Sequence, residues 1–223
     1  AYYPSFGKPH DGLGYAPRMV THSHGSTGIA GVAYYADNLW PPNFRDNIFL
    51  GNVVTSRVNR DRITFHGSSP HGTKQPDFLT SKDPWFRPVD LQFGPDGALY
   101  IADFYNRIIG HYEVPLDHPG RDRTRGRIWR VTYQDKTHPP LDLTTPAKAI
   151  AELGHANFTR RQLATDALSD RHGPKATAEL QKLLEAKNTP PTQRVHAMWA
   201  LHRLGKLNNA THEKLLAEKN PFI

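Results

Sequence analysis

The stretch that decides the fold of the first half is PVDLQFGPDGALYIAD, which runs from Pro88 to Asp103. Two β-rich runs flank Gly94-Pro-Asp-Gly97, a strong turn signal because proline presets φ and glycine accepts a positive φ. The stretch therefore predicts a β-hairpin. Two further β-rich runs follow at Arg107–Val114 and Gly126–Tyr133, so this part of the chain predicts about four short strands.

A similar set of four runs precedes it, at Gly28–Tyr35, Asn47–Asn52, Ser56–Phe65 and Asp77–Thr80. Repeated four-stranded units are typical of β-propeller blades. Two blades cannot close a ring, because a propeller needs at least four. We therefore expect further blades outside this sequence, and expect the chain, which opens with Ala1 rather than Met, to be a piece of a longer protein.

The composition changes near residue 134. All nine tyrosines and 14 of the 17 glycines precede it, whereas Ala, Leu, Lys and Glu dominate afterwards, which favours strands before and helices after. We predict a β + α multidomain chain in which residues 1–133 are the last two or so blades of a partial β-propeller. Residues 134–146 form a polar linker, and residues 147–223 form an α-helical HEAT-type repeat.

The second half contains an internal repeat. Thr159–Leu168 aligns with Thr192–Leu201 at an offset of 33, and Lys182–Asn188 aligns with Lys214–Asn220 at an offset of 32. Each repeat predicts two helices, which is typical of a HEAT-type solenoid. For single side chains we expect N-caps at Thr159 and Thr192, buried positions for Trp85, Trp129 and Trp199, and an exposed or turn position for Trp40.

Composition also excludes several classes of protein. The chain has no cysteine, so disulfides, thiolate metal sites and covalent haem attachment are absent from it. No apolar run is long enough for a transmembrane helix. The net charge is +7, but Lys and Arg form no extended block, so we do not expect nucleic-acid binding.

Two stretches, Asp83–Glu113 and Asp117–Arg130, resemble the large membrane-bound dehydrogenase-like proteins of planctomycete-type bacteria. That family resembles the glucose/sorbosone quinoprotein dehydrogenases in its propeller and continues into HEAT repeats. The resemblance implies a periplasmic or cell-envelope protein that oxidises a sugar or alcohol. It also implies a haem c domain or another electron acceptor outside this chain, since the haem signature is missing here.

His24 is the first candidate for chemistry, in the segment His22-Ser-His24-Gly-Ser-Thr-Gly-Ile. Two histidines two residues apart on a strand share a face, and His24 is suited to be a general base or a metal ligand. The alternative is a polar loop between blades.

A second group follows a predicted strand end. Asp103, Asn106 and Glu113 offer the oxygen ligands that Ca²⁺ prefers, and a quinone cofactor such as PQQ commonly needs that ion. His111 lies among them as a second candidate catalytic residue. The alternative is that Asp103 and Asn106 hydrogen-bond turn backbone and that His111 and Glu113 form a structural pair.

A third group consists of arginines that suit the three carboxylates of PQQ, because guanidinium groups bind carboxylates in a bidentate manner. Its members are Arg87, Arg121, Arg125 and Arg127. Salt bridges between blades are the alternative use of these side chains. At the level of the protein, the alternative to a dehydrogenase is a propeller and HEAT module that binds a protein or carbohydrate without catalysis.

Overall fold

The computed structural model describes residues 22–26, 28–67, 69–110, 113–186, 188–220 and 223. The chain divides into two compact units. The first extends to residue 135 but leaves out two short segments, Ala36–Leu39 and Gly94–Gly97. These belong with residues 136–223 in the second unit. The regular elements among the described residues of the first unit are strands and a short 3-10 turn, and those of the second are helices, so the fold class is β + α.

The first unit contains two antiparallel sheets. The larger has the order β1-β2-β3-β4, with β5 also paired to β3, and the smaller has the order β6-β7-β8. The predicted hairpin at Pro88–Asp103 is confirmed as β6 and β7. The strands are β1 (Ile29–Tyr34), β2 (Asn47–Asn52), β3 (Arg57–His66), β4 (Ser69–Lys74), β5 (Leu79–Thr80), β6 (Pro88–Phe93), β7 (Leu99–Asp103) and β8 (Arg127–Val131).

An aromatic cluster around Trp40 forms much of the core of the first unit. Trp40 is only 2% exposed and stacks on Tyr35 and Phe78, with ring centroids 5.1 and 5.5 Å apart. The edges of Phe49 and Phe93 close around the same indole. Of the two positions expected for Trp40, the exposed one was therefore wrong, whereas the turn agrees with the bend at Trp40 before the 3-10 turn at Pro42–Phe44. The indole points inward between rings that are distant in the sequence.

Two other tryptophans depart from expectation in the opposite direction. Trp129 on β8 is 44% exposed and Trp199 is 52% exposed, although both were predicted to be core residues. β8 lies at the end of its three-stranded sheet, which leaves much of its surface uncovered.

The helices of the second unit repeat with the offsets found in the sequence. The fourth helix begins 33 residues after the second, and the fifth begins 32 residues after the third. A π-helical turn at Ala167–His172 and a 3-10 turn at Gly173–Ala176 lead from the second helix to the third. The helices are α1 (Pro146–Glu152), α2 (Phe158–Asp166), α3 (Thr177–Glu185), α4 (Pro191–Arg203) and α5 (Asn209–Leu216).

The helix starts differ from the predicted caps. Asn157, not Thr159, caps α2, and its side chain accepts a hydrogen bond from Arg160 N. Helix α4 starts at Pro191 without a side-chain cap, so Thr192 lies inside the first turn. Proline at the first helical position needs no N–H partner, which explains a start two residues earlier than the threonine pattern indicated.

The helices enclose one apolar core of small and aliphatic side chains. Small alanines at these positions permit close contacts between helix backbones. The buried members are Ala149, Leu153, Ala164, Leu168, Ala176, Leu180, Leu184, Ala197, Ala200, Leu201 and Leu215.

Candidate functional site

Two histidines and one aspartate converge in the first unit. Asp61 lies in the middle of β3 and is 6% exposed. His22 Nε2 lies 3.0 Å from Asp61 Oδ2, and His24 Nε2 lies 3.0 Å from Oδ1 and 3.1 Å from Oδ2. The two imidazole rings meet edge to face, with centroids 5.0 Å apart. The structure thus brings His24 together with a carboxylate that the sequence analysis did not assign to any site.

The segment that carries the histidines is fixed by side chains from neighbouring strands. Asn52 on β2 donates to His24 O and accepts from the Ser26 hydroxyl. Lys74 lies directly opposite Asp61 in the β3–β4 pairing, and its ammonium group donates to Ser23 O. These bonds hold the segment against the sheet, so both rings reach Asp61.

A chain of hydrogen bonds through two buried asparagine side chains holds Asn52 in place. Asn52 donates to Asn59 Oδ1, and Asn59 donates to Asp77, which also accepts from Arg57. Burial alone would raise the pKa of Asp77, but the hydrogen bonds from Arg57 and Asn59 and the charges of Arg57 and Lys74 bring that pKa below its ordinary value. Asp77 therefore stays ionised and anchors the chain of amides.

The geometry favours a ligand role over a general-base role for His24. Its Nε2 faces Asp61, and its Nδ1 is buried and has no hydrogen-bond partner among the described residues. A general base must reach the proton that it removes, either directly or through one water. His111, the other candidate catalytic residue, lies outside the described residues.

Two of the four candidate arginines are committed to backbone carbonyls. Arg87 is 8% exposed, and its guanidinium group donates to the carbonyl oxygens of Val53, Asn106 and Arg107. Arg121 likewise donates to carbonyl oxygens of the loop between β7 and β8. These contacts favour a structural role for both side chains, in which backbone carbonyls take the place of the salt bridges that were the alternative.

The other two arginines lie beside aromatic rings on the surface. The Arg127 guanidinium carbon is 3.5 Å from the centroid of the Tyr105 ring. The Arg125 guanidinium carbon is 5.8 Å from the same ring and 5.0 Å from that of Trp85. Arg125 pairs with Asp122, whose pKa is lowered to about 2, first by the hydrogen bond from Thr124 N and then by Arg125.

Two of the three predicted calcium ligands, Asp103 and Asn106, form hydrogen bonds within the protein. Asp103 is 3% exposed; its Oδ1 accepts from the backbone N–H groups of Arg87 and Tyr105, and its Oδ2 accepts from the Trp129 indole. Asn106 donates to Asp122 O and accepts from Ile108 N. These bonds agree with the turn-forming alternative, and Glu113 is exposed on the same loop. A calcium site at Asp103, Asn106 and Glu113 stays a prediction.

Residues 9–135 match the family described as a domain of unknown function, DUF7133. The chain belongs to the DUF7133 family. Parts of two solved structures, both of a glucose dehydrogenase, are similar to 48% of this chain, at 23% and 20% sequence identity and TM-scores of 0.32 and 0.28. The chain spans about a quarter of the length of those structures. No curated protein matches it.

The DUF7133 region contains every candidate site residue named above. Sequence reasoning missed Asp61 and gave His22 no role of its own. The run Asn59-Arg-Asp61 lies inside a predicted strand, where every second side chain faces the same side, but that pattern does not show which residues oppose Asp61. Among the described residues, no helix combines the length and the apolar character needed to cross a membrane.

Proposed function

We propose that the chain is part of a quinoprotein-like dehydrogenase that oxidises a sugar or an alcohol. In this proposal the DUF7133 region contributes blades of a propeller that bind the cofactor, and the helical unit is a HEAT-type scaffold. The observation that supports it is the position of Arg125 and Arg127 beside the rings of Trp85 and Tyr105. These residues belong to the stretches that resemble the dehydrogenase-like family.

The arginine and aromatic surface fits a flat, anionic cofactor such as PQQ. No carboxylate of the described residues pairs with Arg127, so its guanidinium group keeps its donors for a ligand. Arg125 has Asp122 as a partner but is exposed enough to exchange it. The rings of Tyr105 and Trp85 lie beneath these guanidinium groups and orient them, so that their N–H donors can meet carboxylates at the edge of a planar cofactor.

When bound, a quinone cofactor would supply the hydride acceptor for oxidation of a substrate C–H bond, and the proton of the substrate hydroxyl would pass to a base. In this chain, Arg125 and Arg127 would orient the cofactor's carboxylates. Asp103 and Asn106 fit a calcium ion poorly, because their side-chain oxygens already accept hydrogen bonds from Arg87 N, Tyr105 N, the Trp129 indole and Ile108 N. We therefore assign no step to calcium.

The proposal also places the protein in the periplasm or at the cell envelope. Electrons would then pass to an acceptor outside this chain, such as a haem c domain. Both points follow from the family resemblance.

The test is a titration of the full-length protein with PQQ, followed by dye reduction with a panel of sugars and alcohols. Arg127→Met should weaken PQQ binding at least about tenfold, since it removes a charged donor. Arg62→Met is the matched control, because Arg62 is an exposed arginine on β3 outside the aromatic surface. Failure to bind PQQ, or equal binding by the Arg127 variant, would overturn the proposal.

A second candidate function is non-catalytic binding of a protein or carbohydrate. It is favoured by the exposed Ile128 and Trp129 on β8, which are 75% and 44% exposed. Exposed aromatic side chains beside arginines are common in binding surfaces. A stable protein or glycan complex without dye reduction, lost in Trp129→Ala, would support this function over the dehydrogenase.

A further inference from the structure

Among the described residues, one group of three His, Cys, Asp or Glu side chains lies close enough together to hold a metal ion. It consists of His22, His24 and Asp61. One ligand atom from each lies within 4.8 Å of the others. We propose that these three residues bind one divalent transition-metal ion. The inference rests on this cluster alone and does not depend on the proposed dehydrogenase function.

The spacing of the ligand atoms supports the proposal. Nitrogen and oxygen ligands lie about 2.1 Å from a metal such as Zn²⁺, so neighbouring ligand atoms are about 3.0–3.4 Å apart in octahedral or tetrahedral geometry. The Nε2 atoms of His22 and His24 each lie 3.0 Å from an oxygen of Asp61. Two edges of the coordination polyhedron therefore exist, and the third edge joins ligand atoms of the two imidazoles that lie within 4.8 Å of each other.

The carboxylate has unused capacity in this arrangement. Both imidazoles direct their hydrogen bonds to Oδ2 of Asp61, while Oδ1 is buried without a hydrogen bond, although His24 Nε2 is 3.0 Å away. A buried polar atom without a partner is costly. A cation between His24 and Asp61 would satisfy that oxygen and replace the crowded pair of hydrogen bonds.

The ligand types select the class of metal. Imidazole nitrogens suit Zn²⁺, Fe²⁺, Co²⁺, Ni²⁺ and Cu²⁺, whereas Ca²⁺ and Mg²⁺ prefer sites made only of oxygen. Two histidines and one carboxylate leave coordination positions open for an external ligand. Because the side chain of His22 is 24% exposed, compared with 7% for His24, the opening lies on the side of His22.

The site is also held in place before a metal arrives. Asn52 and Lys74 fix the backbone on both sides of His24, and the strand pairing fixes Asp61. Supporting residues of this kind orient metal ligands and raise metal affinity. We therefore expect a preformed site whose affinity depends on Asn52 as well as on the three ligands.

The test uses the intact chain stripped of metal with a chelator. Calorimetry with Zn²⁺ should show one site, and Co²⁺ should give visible d–d bands that Zn²⁺ displaces. His22→Ala and Asp61→Asn should each weaken Zn²⁺ binding at least about tenfold, the range seen when ligand shells are disturbed. His71→Ala is the matched control, since His71 is an exposed histidine on β4 outside the cluster.

Folding is checked for each variant by circular dichroism and thermal melting. Asp61→Asn changes a buried residue and can lose stability, so His22→Ala, at the more exposed ligand, keeps the test decisive if Asp61→Asn does not fold. The His22 variant should still bind PQQ like the parent chain, which separates this inference from the proposed function. Absence of a single Zn²⁺ site, or equal affinity in the His22 and His71 variants, would overturn it.

Discussion

Trp40 shows how much of the first unit depends on one buried side chain. It contacts rings from residues that are as far apart in sequence as Tyr35 and Phe93. Trp40→Ala should lower the free energy of unfolding by about 3–5 kcal/mol, because it leaves a large cavity. Phe65→Ala, at a 64% exposed position on β3, should change it by less than about 1 kcal/mol. Urea unfolding measures both, and equal losses would contradict the assignment of Trp40 to the core.

Two buried arginines in the first unit make a matched comparison. Arg60 is 9% exposed, its Nε and one terminal nitrogen have no partner among the described residues, and burial lowers its pKa. Arg87 is as deeply buried but donates to several carbonyl oxygens. Removing the charge of Arg60 should therefore not destabilise the protein, whereas removing the charge of Arg87 should.

Arg60→Met should leave the free energy of unfolding unchanged or raise it by about 1–3 kcal/mol, because it removes a buried charge. The loss of the contact between Arg60 and the Phe44 ring reduces that gain. Arg87→Met should lower it by about 3 kcal/mol, because it leaves carbonyl groups without donors. Chemical denaturation followed by tryptophan fluorescence compares the two. A larger loss for Arg60→Met than for Arg87→Met would show that the partners of these side chains have been misassigned.

At the scale of elements, local pattern predicted the β6–β7 hairpin and the two pairs of equivalent helices. Turn chemistry at Gly94–Gly97 and the 33-residue offset are properties of neighbouring residues, so they can be read from one sequence. The burial of Trp40, the exposure of Trp129 and the contacts of Asp61 could not be predicted in this way. They depend on which strands pair and which edge stays open, which is set by contacts between residues far apart in the chain.

Helices α2 and α4 share a buried polar contact that makes their stability depend on pH. His196 on α4 accepts from Arg161 at Nε2 and contacts the Thr165 hydroxyl through Nδ1. Burial, and next the charge of Arg161, lower the pKa of His196 to about 4 from its ordinary value of 6.5. Both contacts fit the neutral imidazole, since Arg161 has only donors.

The free energy of unfolding should therefore fall as the pH decreases from about 7 towards 4. In that window the unfolded chain binds a proton on His196 that the folded chain does not bind, so acid favours unfolding. His196→Gln should flatten this part of the pH profile, and His212→Gln, at an exposed position on α5, should not. Urea unfolding at several pH values tests this, and parallel profiles for the parent chain and His196→Gln would contradict it.

At the scale of the whole molecule, the second unit is not a simple C-terminal segment. It includes Ala36–Leu39 and Gly94–Gly97, which precede its helices by many residues. Asp37 is buried there and accepts from Asn157 Nδ2 at 2.6 Å, while His138 Nε2 lies 2.9 Å from both of its oxygens. No local pattern could predict this contact, because 120 residues separate Asp37 from Asn157.

Asp37 should therefore control the stability of helices that begin more than a hundred residues later. Asp37→Ala takes away the carboxylate next to His138 and one of the two acceptors of the buried Asn157 amide, which keeps Gly94 O. The Asn157 cap of α2 then loses part of its support. We expect a loss of about 3–5 kcal/mol in the free energy of unfolding. Urea unfolding monitored by the far-ultraviolet circular dichroism of the helices measures this loss. Asp142→Ala, which removes an exposed partner of Lys148, should have a much smaller effect, because solvent screens the exposed pair. If the helices of the Asp37 variant melted at the same urea concentration as those of the parent chain, residues 36–39 would not belong to the folded core of the second unit.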